Sequence, residues 1–153
     1  MENYQRILAN NFLNGVSETI LTMTGFDLDL YECEFLEKEY DISGIIFMSG
    51  FKNAAFNISI SQREALILVS YMTGIEQDKL SDQEITDGIM EILNVSAGRA
   101  KSKIEDLEKK FKISTPMLII GKELLFKIKN NIDFFEYRLG GNNVNIRIGI
   151  YYI

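Results

Sequence analysis

The sequence predicts an α+β domain: a mostly antiparallel sheet covered by helices, with a long central helix that carries the functional groups. Three observations carry this expectation. Apolar residues recur at helical spacing over residues 3–24 and again from Ser81 toward Lys110. Short apolar or alternating runs, the mark of strands, fill residues 41–60 and 112–151. Helices stand at the start and in the middle of the chain, with hairpin-like runs between and after them, which favours antiparallel pairing. The chain has 153 residues, 46% of them hydrophobic and 25% charged, enough for one real core, so residues 1–153 read as a single domain.

The first helix buries Leu8, Phe12, Val16, Ile20 and Met23, with Leu13 beside them, and Gly25 is its stop. Asp27 to Tyr40 is acidic with scattered apolar residues and reads as an irregular or edge strand. Asp41 to Gly50 holds Ile45-Ile46-Phe47-Met48 and suits a buried strand. Phe51 to Ile60 alternates Phe56, Ile58 and Ile60 with Asn57 and Ser59, the pattern of a half-buried strand. These two strands form a hairpin turning near Ser49–Asn53.

Ser61-Gln62-Arg63-Glu64 is a capping box, in which serine and glutamate each satisfy a backbone N–H of the first turn. It opens a helix with Leu66, Ile67, Val69 and Met72 on its apolar side, closed by Gly74. A second box, Ser81-Asp82-Gln83-Glu84, opens the central helix, and Ile104 and Leu107 continue its apolar face. Met72 and Met90 read as core filler. Lys112 to Ile120 is a strand whose Pro116 belongs at an edge or a bulge. Leu124–Lys129 and Ile132–Leu139 are further strands, Gly140–Asn143 is a turn, and Val144–Tyr151 ends the chain as a strand. No internal repeat is legible.

Composition excludes several kinds of chemistry. There is no histidine, which removes Ser–His and Cys–His catalysis and the commonest metal ligand. The lone Cys33 permits no internal disulfide and reads as a small packing residue, in keeping with a reducing cytoplasm. A net charge of −6 argues against nucleic acid. The basic clusters Arg99-Lys101-Lys103 and Lys109-Lys110-Lys112 read as a solvated helix end. The N-terminal MENYQRILANN lacks an apolar h-region, and no apolar run approaches transmembrane length, so the expectation is a cytoplasmic protein with no membrane partner.

The central helix carries an unusual stripe. At about 100° per residue, with Asp87 at 0°, Glu91 falls at about 40°, Asn94 at about 340° and Gly98 at about 20°. Ile85, Ile89, Ile92, Leu93 and Ala100 lie on the opposite side. Most polar stripes are solvated faces. Three features count against that here. Two acids at i, i+4 repel slightly and have no cationic partner in the stripe. Asn and Gly are poor helix formers that a solvated face has no reason to choose. Gly98 also leaves backbone open to close approach by another molecule.

Asp87-x3-Glu91-x2-Asn94, followed after 21 intervening residues by Pro116, closely resembles the signature of the CheC/CheX/FliY chemotaxis phosphatases. The segments FLNGVSETILTMTG and DISGIIFMSGF are similar to the corresponding CheX-type elements, so the resemblance covers most of the chain. CheC-type relatives carry a second motif copy on the first helix. Here Ser17 is followed four residues later by Leu21 instead of Glu, so a single active stripe is expected, as in the CheX branch.

The resemblance implies hydrolysis of the phosphoaspartate of a phosphorylated CheY-like response regulator. It implies that Asn94 positions the attacking water and that Glu91 meets a lysine of the partner. Asp87 and Gly98 complete the stripe as partner-binding positions; Asp87 serves docking or helix support, and Gly98 and Pro116 also have structural readings. The Mg²⁺ belongs to the response regulator, so the chain needs no metal or cofactor of its own. A homodimer is expected from the resemblance and from NIRIGIYYI, whose β-branched and aromatic residues read as an unpaired edge strand. Two rivals stand beside the phosphatase. One is a binding module that docks a response regulator or flagellar component without hydrolysis. The other is an oligomerising domain whose stripe is incidental.

Overall fold

The computed structural model describes residues 3–32, 40–50, 52–105, 111–124 and 131–153. The elements run α1 (Asn3–Thr24), β1 (Asp29–Glu32), β2 (Tyr40–Ser49), β3 (Ala54–Ile60), α2 (Gln62–Thr73), α3 (Asp82–Glu105), β4 (Lys112–Ile113), β5 (Met117–Leu124), β6 (Phe134–Gly141) and β7 (Val144–Tyr152). The described strands form one sheet, seven-stranded and antiparallel, in the order β1-β6-β7-β3-β2, with β4 and β5 both on the outer side of β2. The expected α+β architecture is present. No helix among the described residues is long and apolar enough to cross a membrane.

The core lies between the helices and one face of the sheet. Ile42, Ile46, Met48, Phe56, Ile58, Ile60, Ile146, Ile148 and Ile150 supply the sheet's share. From α1, Leu8, Phe12, Val16 and Ile20 reach it with no exposed surface. Phe12 stacks on Phe56 with ring centroids 4.1 Å apart, a pairing worth about 0.5–1.5 kcal/mol beyond its buried area. On α2, Leu68 and Val69 are buried, while Leu66, Ile67 and Met72 pack from the margin. Helix ends fall where the punctuation put them. Gly25 (φ 79°) and Gly74 (φ 73°) take the left-handed conformation that closes α1 and α2.

The topology is twofold. α1-β1-β2-β3 and α3-β4/β5-β6-β7 repeat one plan: a helix, a strand, then a hairpin. The halves exchange their first strands, since β1 pairs with β6 and β5 pairs with β2, and β3 meets β7 at the junction. No repeat was expected, because the halves share a plan and not a residue pattern.

Four further expectations need correction. First, β3 is buried on both faces, not half-buried. Asn57 and Ser59 turn away from the helices, yet both are shut off from solvent. Asn57 Nδ2 donates to Ser43 Oγ (2.6 Å) and to the Gly44 carbonyl (3.1 Å), and Ser59 Oγ donates to Asn57 Oδ1 (3.0 Å). These small polar residues bury because they satisfy one another.

Second, β7 is not an edge. It lies between β6 and β3, paired along its length on both sides, so the C-terminal strand offers no free ladder to a second copy. Third, residues 112–120 are two strands. Pairing with β2 breaks at Ser114–Pro116, where Ser114 Oγ accepts from Phe47 N–H at 3.0 Å and Ser114 N–H donates to the Phe47 carbonyl at 2.8 Å. Proline has no N–H to give, and it sits where the outer strand bulges. Fourth, β5 runs on to Leu124, where a new strand was expected to begin. The expected strand at 125–129 and the end of the central helix at 106–110 lie outside the described residues.

The turn at 140–143 is as expected. Asn142 (φ 52°) and Asn143 (φ 61°) both adopt the left-handed conformation of a tight two-residue hairpin loop, which asparagine tolerates better than most residues.

Candidate active site on the central helix

The site begins with the cap of α3. Glu84 N–H donates to Ser81 Oγ at 3.2 Å, and Ser81 N–H donates to Glu84 Oε2 at 2.8 Å, closing the box. The backbone N–H of Ser81 and then its hydroxyl hold the Glu84 carboxyl below its ordinary range.

Three close contacts then fix the helix body. A Cβ on Gly15 of α1 would lie 2.7 Å from the Ser96 carbonyl oxygen, so α1 and α3 touch backbone to side-chain-free backbone. A Cβ on Gly88 would lie 2.6 Å from Val69 Cγ2, which sets the approach of α2. Leu93 reaches the sheet over Gly44, where a Cβ would stand 3.0 Å from Leu93 Cδ2. Ile85, Ile89, Ile92, Leu93, Ala97 and Ala100 are all buried by these contacts.

What remains outside is the stripe. Asp87, Glu91 and Asn94 are exposed, and Gly98 is half-buried. They occupy i, i+4, i+7 and i+11 of one unbroken helix, hence one face. A Cβ on Gly98 would meet nothing within 4 Å, so the fold itself does not require glycine there. No described residue hydrogen-bonds Glu91 or Asn94 or pairs with the Glu91 carboxylate, and both groups point to solvent unpaired. Asp87 differs: Gln83 Nε2 donates to its Oδ1 at 2.7 Å. That contact was missed at the sequence level, although glutamine and aspartate at i, i+4 is a recognised helical pair.

The basic end of α3 is not simply solvated. Lys103 Nζ lies 3.1 Å and Arg99 Nη1 3.7 Å from the carboxylate of Glu18 on α1. These partly exposed pairs contribute little energy but leave the acidic stripe without a cation of its own. Pro116 lies at the bulge of the outer strands and is not part of the stripe. Among the described residues no group of three or more acidic, cysteine or histidine side chains could hold a metal ion.

One face of α3 thus presents two acids and an amide to solvent, on a helix packed over an antiparallel sheet. Residues 42–139 match the family model described as chemotaxis phosphatase CheX, and the chain belongs to that family. It is 26% identical over 123 residues to the CheY-P phosphatase CheX of Thermotoga maritima, covering 78% of this chain and 79% of that protein. Its fold is similar to that of the chemotaxis protein CheX from Vibrio vulnificus (TM-score 0.84, 24% identity, 99% of this chain and 100% of the other). It is also similar to the fold in a CheX–CheY–BeF3–Mg²⁺ complex from Borrelia burgdorferi (TM-score 0.78, 18% identity, 94% and 96% covered).

Proposed function

We propose that the chain hydrolyses the phosphoaspartate of a CheY-like response regulator, with Asn94 and Glu91 as its working groups. The observation that carries this reading is the unpaired state of both side chains on an otherwise packed helix. The named activity of the Thermotoga maritima relative supports the reaction class, and the complex from Borrelia burgdorferi supports the partner.

The chemistry asks little covalent work of the protein. An acyl phosphate is already activated, and its hydrolysis needs a water held in line with the phosphorus. The Asn94 carboxamide oxygen accepts a hydrogen bond from that water, and its NH₂ donates to the water or to a phosphoryl oxygen. Glu91 pairs with a lysine of the regulator and aligns the two proteins. Gln83 holds one oxygen of Asp87, leaving the other toward the partner, which gives Asp87 a docking role. Gly98 lets the partner's backbone come close. The Mg²⁺ and the aspartyl phosphate are the partner's, and the reaction takes place in the cytoplasm. The test mixes the chain with a phosphorylated CheY-like regulator and times phosphate release; release no faster than the regulator alone rejects the proposal.

A homodimer remains part of this reading, on a different edge from the one the sequence suggested. Among the described residues only β2 pairs with the outer strand β5, which exposes Met117, Ile119 and Ile120. Light scattering is expected to give twice the chain mass at micromolar concentration, and a monomer would reject the dimer.

A further inference from the structure

The stripe on α3 has an apolar border on the side of the outer strands. Around the helix, at about 100° per residue from Asp87, Ser96 falls at about 180°, Leu93 at about 240° and Met90 at about 300°, next to the stripe. Ser96 faces α1, where a Cβ on Gly15 would stand 2.7 Å from its carbonyl oxygen. Leu93 faces the outer strands: a Cβ on Gly44 would stand 3.0 Å from Leu93 Cδ2 and 3.1 Å from Leu118 Cδ2 of β5. Met90 therefore lies on the flank of α3 that borders β5. Expected as core filler, it is half-buried and stands outside the core.

β5 adds to this flank. Ile120 pairs with the core residue Ile42, and opposite residues of an antiparallel pair share a face, so Ile120 stands on the helix side of the sheet. It is 60% exposed there. Met117 and Ile119, also exposed, pair with Ile45 and Ser43 and lie on the other face. The α1 flank of the stripe is ionic instead, with Arg99 and Lys103 drawn to Glu18.

We propose that Met90 and Ile120 form an apolar shoulder on which the phosphorylated regulator seats the apolar surface beside its phosphoaspartate; the identity of that partner rests on the phosphatase reading. Asn94 follows Met90 by one helical turn, about 5–6 Å between Cβ atoms, so a protein that brings a phosphoryl group to the amide also covers the methionine. A stable protein complex buries about 800 Å² on each partner, more than four side chains along one helix can supply. The rest of the footprint falls toward β5 and not toward α1, because interface centres are enriched in methionine and depleted of charge. A second copy paired along the β5 edge would cover Met117, Ile119 and Ile120 alike. A regulator seated on α3 covers only Ile120 of the three.

The test titrates the full chain with a CheY-like regulator carrying beryllofluoride and Mg²⁺ in place of its phosphoryl group, so that binding is read without hydrolysis. Met90→Gln keeps side-chain length and helical preference, and Ile120→Gln changes an exposed position, so both variants are expected to fold. Each is expected to weaken binding by roughly 5- to 30-fold, the loss at an interface anchor, and to raise KM for phosphate release with kcat held. Met117→Gln, on the opposite face of the same strand, is expected to leave affinity unchanged. Light scattering accompanies each variant. The proposal is overturned if neither Met90→Gln nor Ile120→Gln changes affinity, or if Met117→Gln weakens binding as much as Ile120→Gln. It is also overturned if Ile120→Gln lowers the mass of the assembly and not the affinity. The phosphatase reading fails separately, if the wild type binds the regulator and releases no phosphate; a wild type that does not bind it overturns both.

Discussion

At Gly98 the chain uses glycine on an exposed helix face where nothing inside the fold calls for it. Gly98→Ala is therefore expected to raise stability by about 0.5–1 kcal/mol, the helical difference between the two residues. Gly98→Leu should fold equally well and weaken binding of the regulator, a difference that thermal melts and a binding titration separate. Gly15 is the opposite case. A methyl group there stands 2.7 Å from the Ser96 carbonyl oxygen, so Gly15→Ala is expected to cost about 1–3 kcal/mol as α1 is pushed off α3, measured by denaturant unfolding. Glu91→Ala should slow phosphate release with a larger share of the loss in KM than Asn94→Ala shows, because an acid–lysine contact acts before the reaction as well as during it. The stripe was legible in the sequence because helical angle alone sorts Asp87, Glu91 and Asn94 from the isoleucines. The contrast between Gly98 and Gly15 was not, since it depends on what another element brings to each position.

At the scale of elements, both capping boxes form as written, and the α3 box carries a pH dependence. Hydrogen bonds from Ser81 lower the Glu84 pKa in the folded state. A depressed carboxyl stabilises the fold above its unfolded pKa, and that contribution is lost as pH falls through the lower, folded value. The melting temperature of the wild type relative to Glu84→Ala is thus expected to shrink on acidification below the ordinary carboxylate range; a gap that stays constant in acid would contradict the assignment. Strand readings held less well than helix readings. Alternation at Phe56-Asn57-Ile58-Ser59-Ile60 predicts one wet face, and periodicity cannot see that Ser43 arrives from β2 to satisfy Asn57 and Ser59. The same limit misplaced β7, whose alternating Val144–Tyr152 pattern suits a central strand as well as an edge.

At the scale of the whole molecule, the class α+β followed from the order of the elements, while the exchange of β1 and β5 between the two halves is a long-range pairing that no local pattern records. The packing that results buries tyrosine hydroxyls. Burial pushes Tyr4 and Tyr151 up to about 12, and raises Tyr152 as well. For Tyr151, Glu136 adds to the rise and Arg147 opposes it. A raised tyrosine stabilises the fold fully below its unfolded pKa, and that contribution is lost as pH climbs through the folded value. Ultraviolet titration is expected to show Tyr4, Tyr151 and Tyr152 ionising only above the ordinary tyrosine range, together with alkaline unfolding. A single ordinary transition in the folded protein would contradict the packing.

The central claim is that an amide on the free face of α3 orients water for attack on a partner's phosphoaspartate. It is tested most directly by timing phosphate release from a phosphorylated CheY-like regulator with wild type and Asn94→Ala, each shown to be folded by circular dichroism. Asn94 is exposed and alanine is the better helix former, so the variant should fold as well as the wild type. Release is expected to slow by about 10²–10³-fold, the usual cost of removing one positioned polar group. A folded Asn94→Ala that works at the wild-type rate would contradict the mechanism and leave the stripe as a docking surface alone.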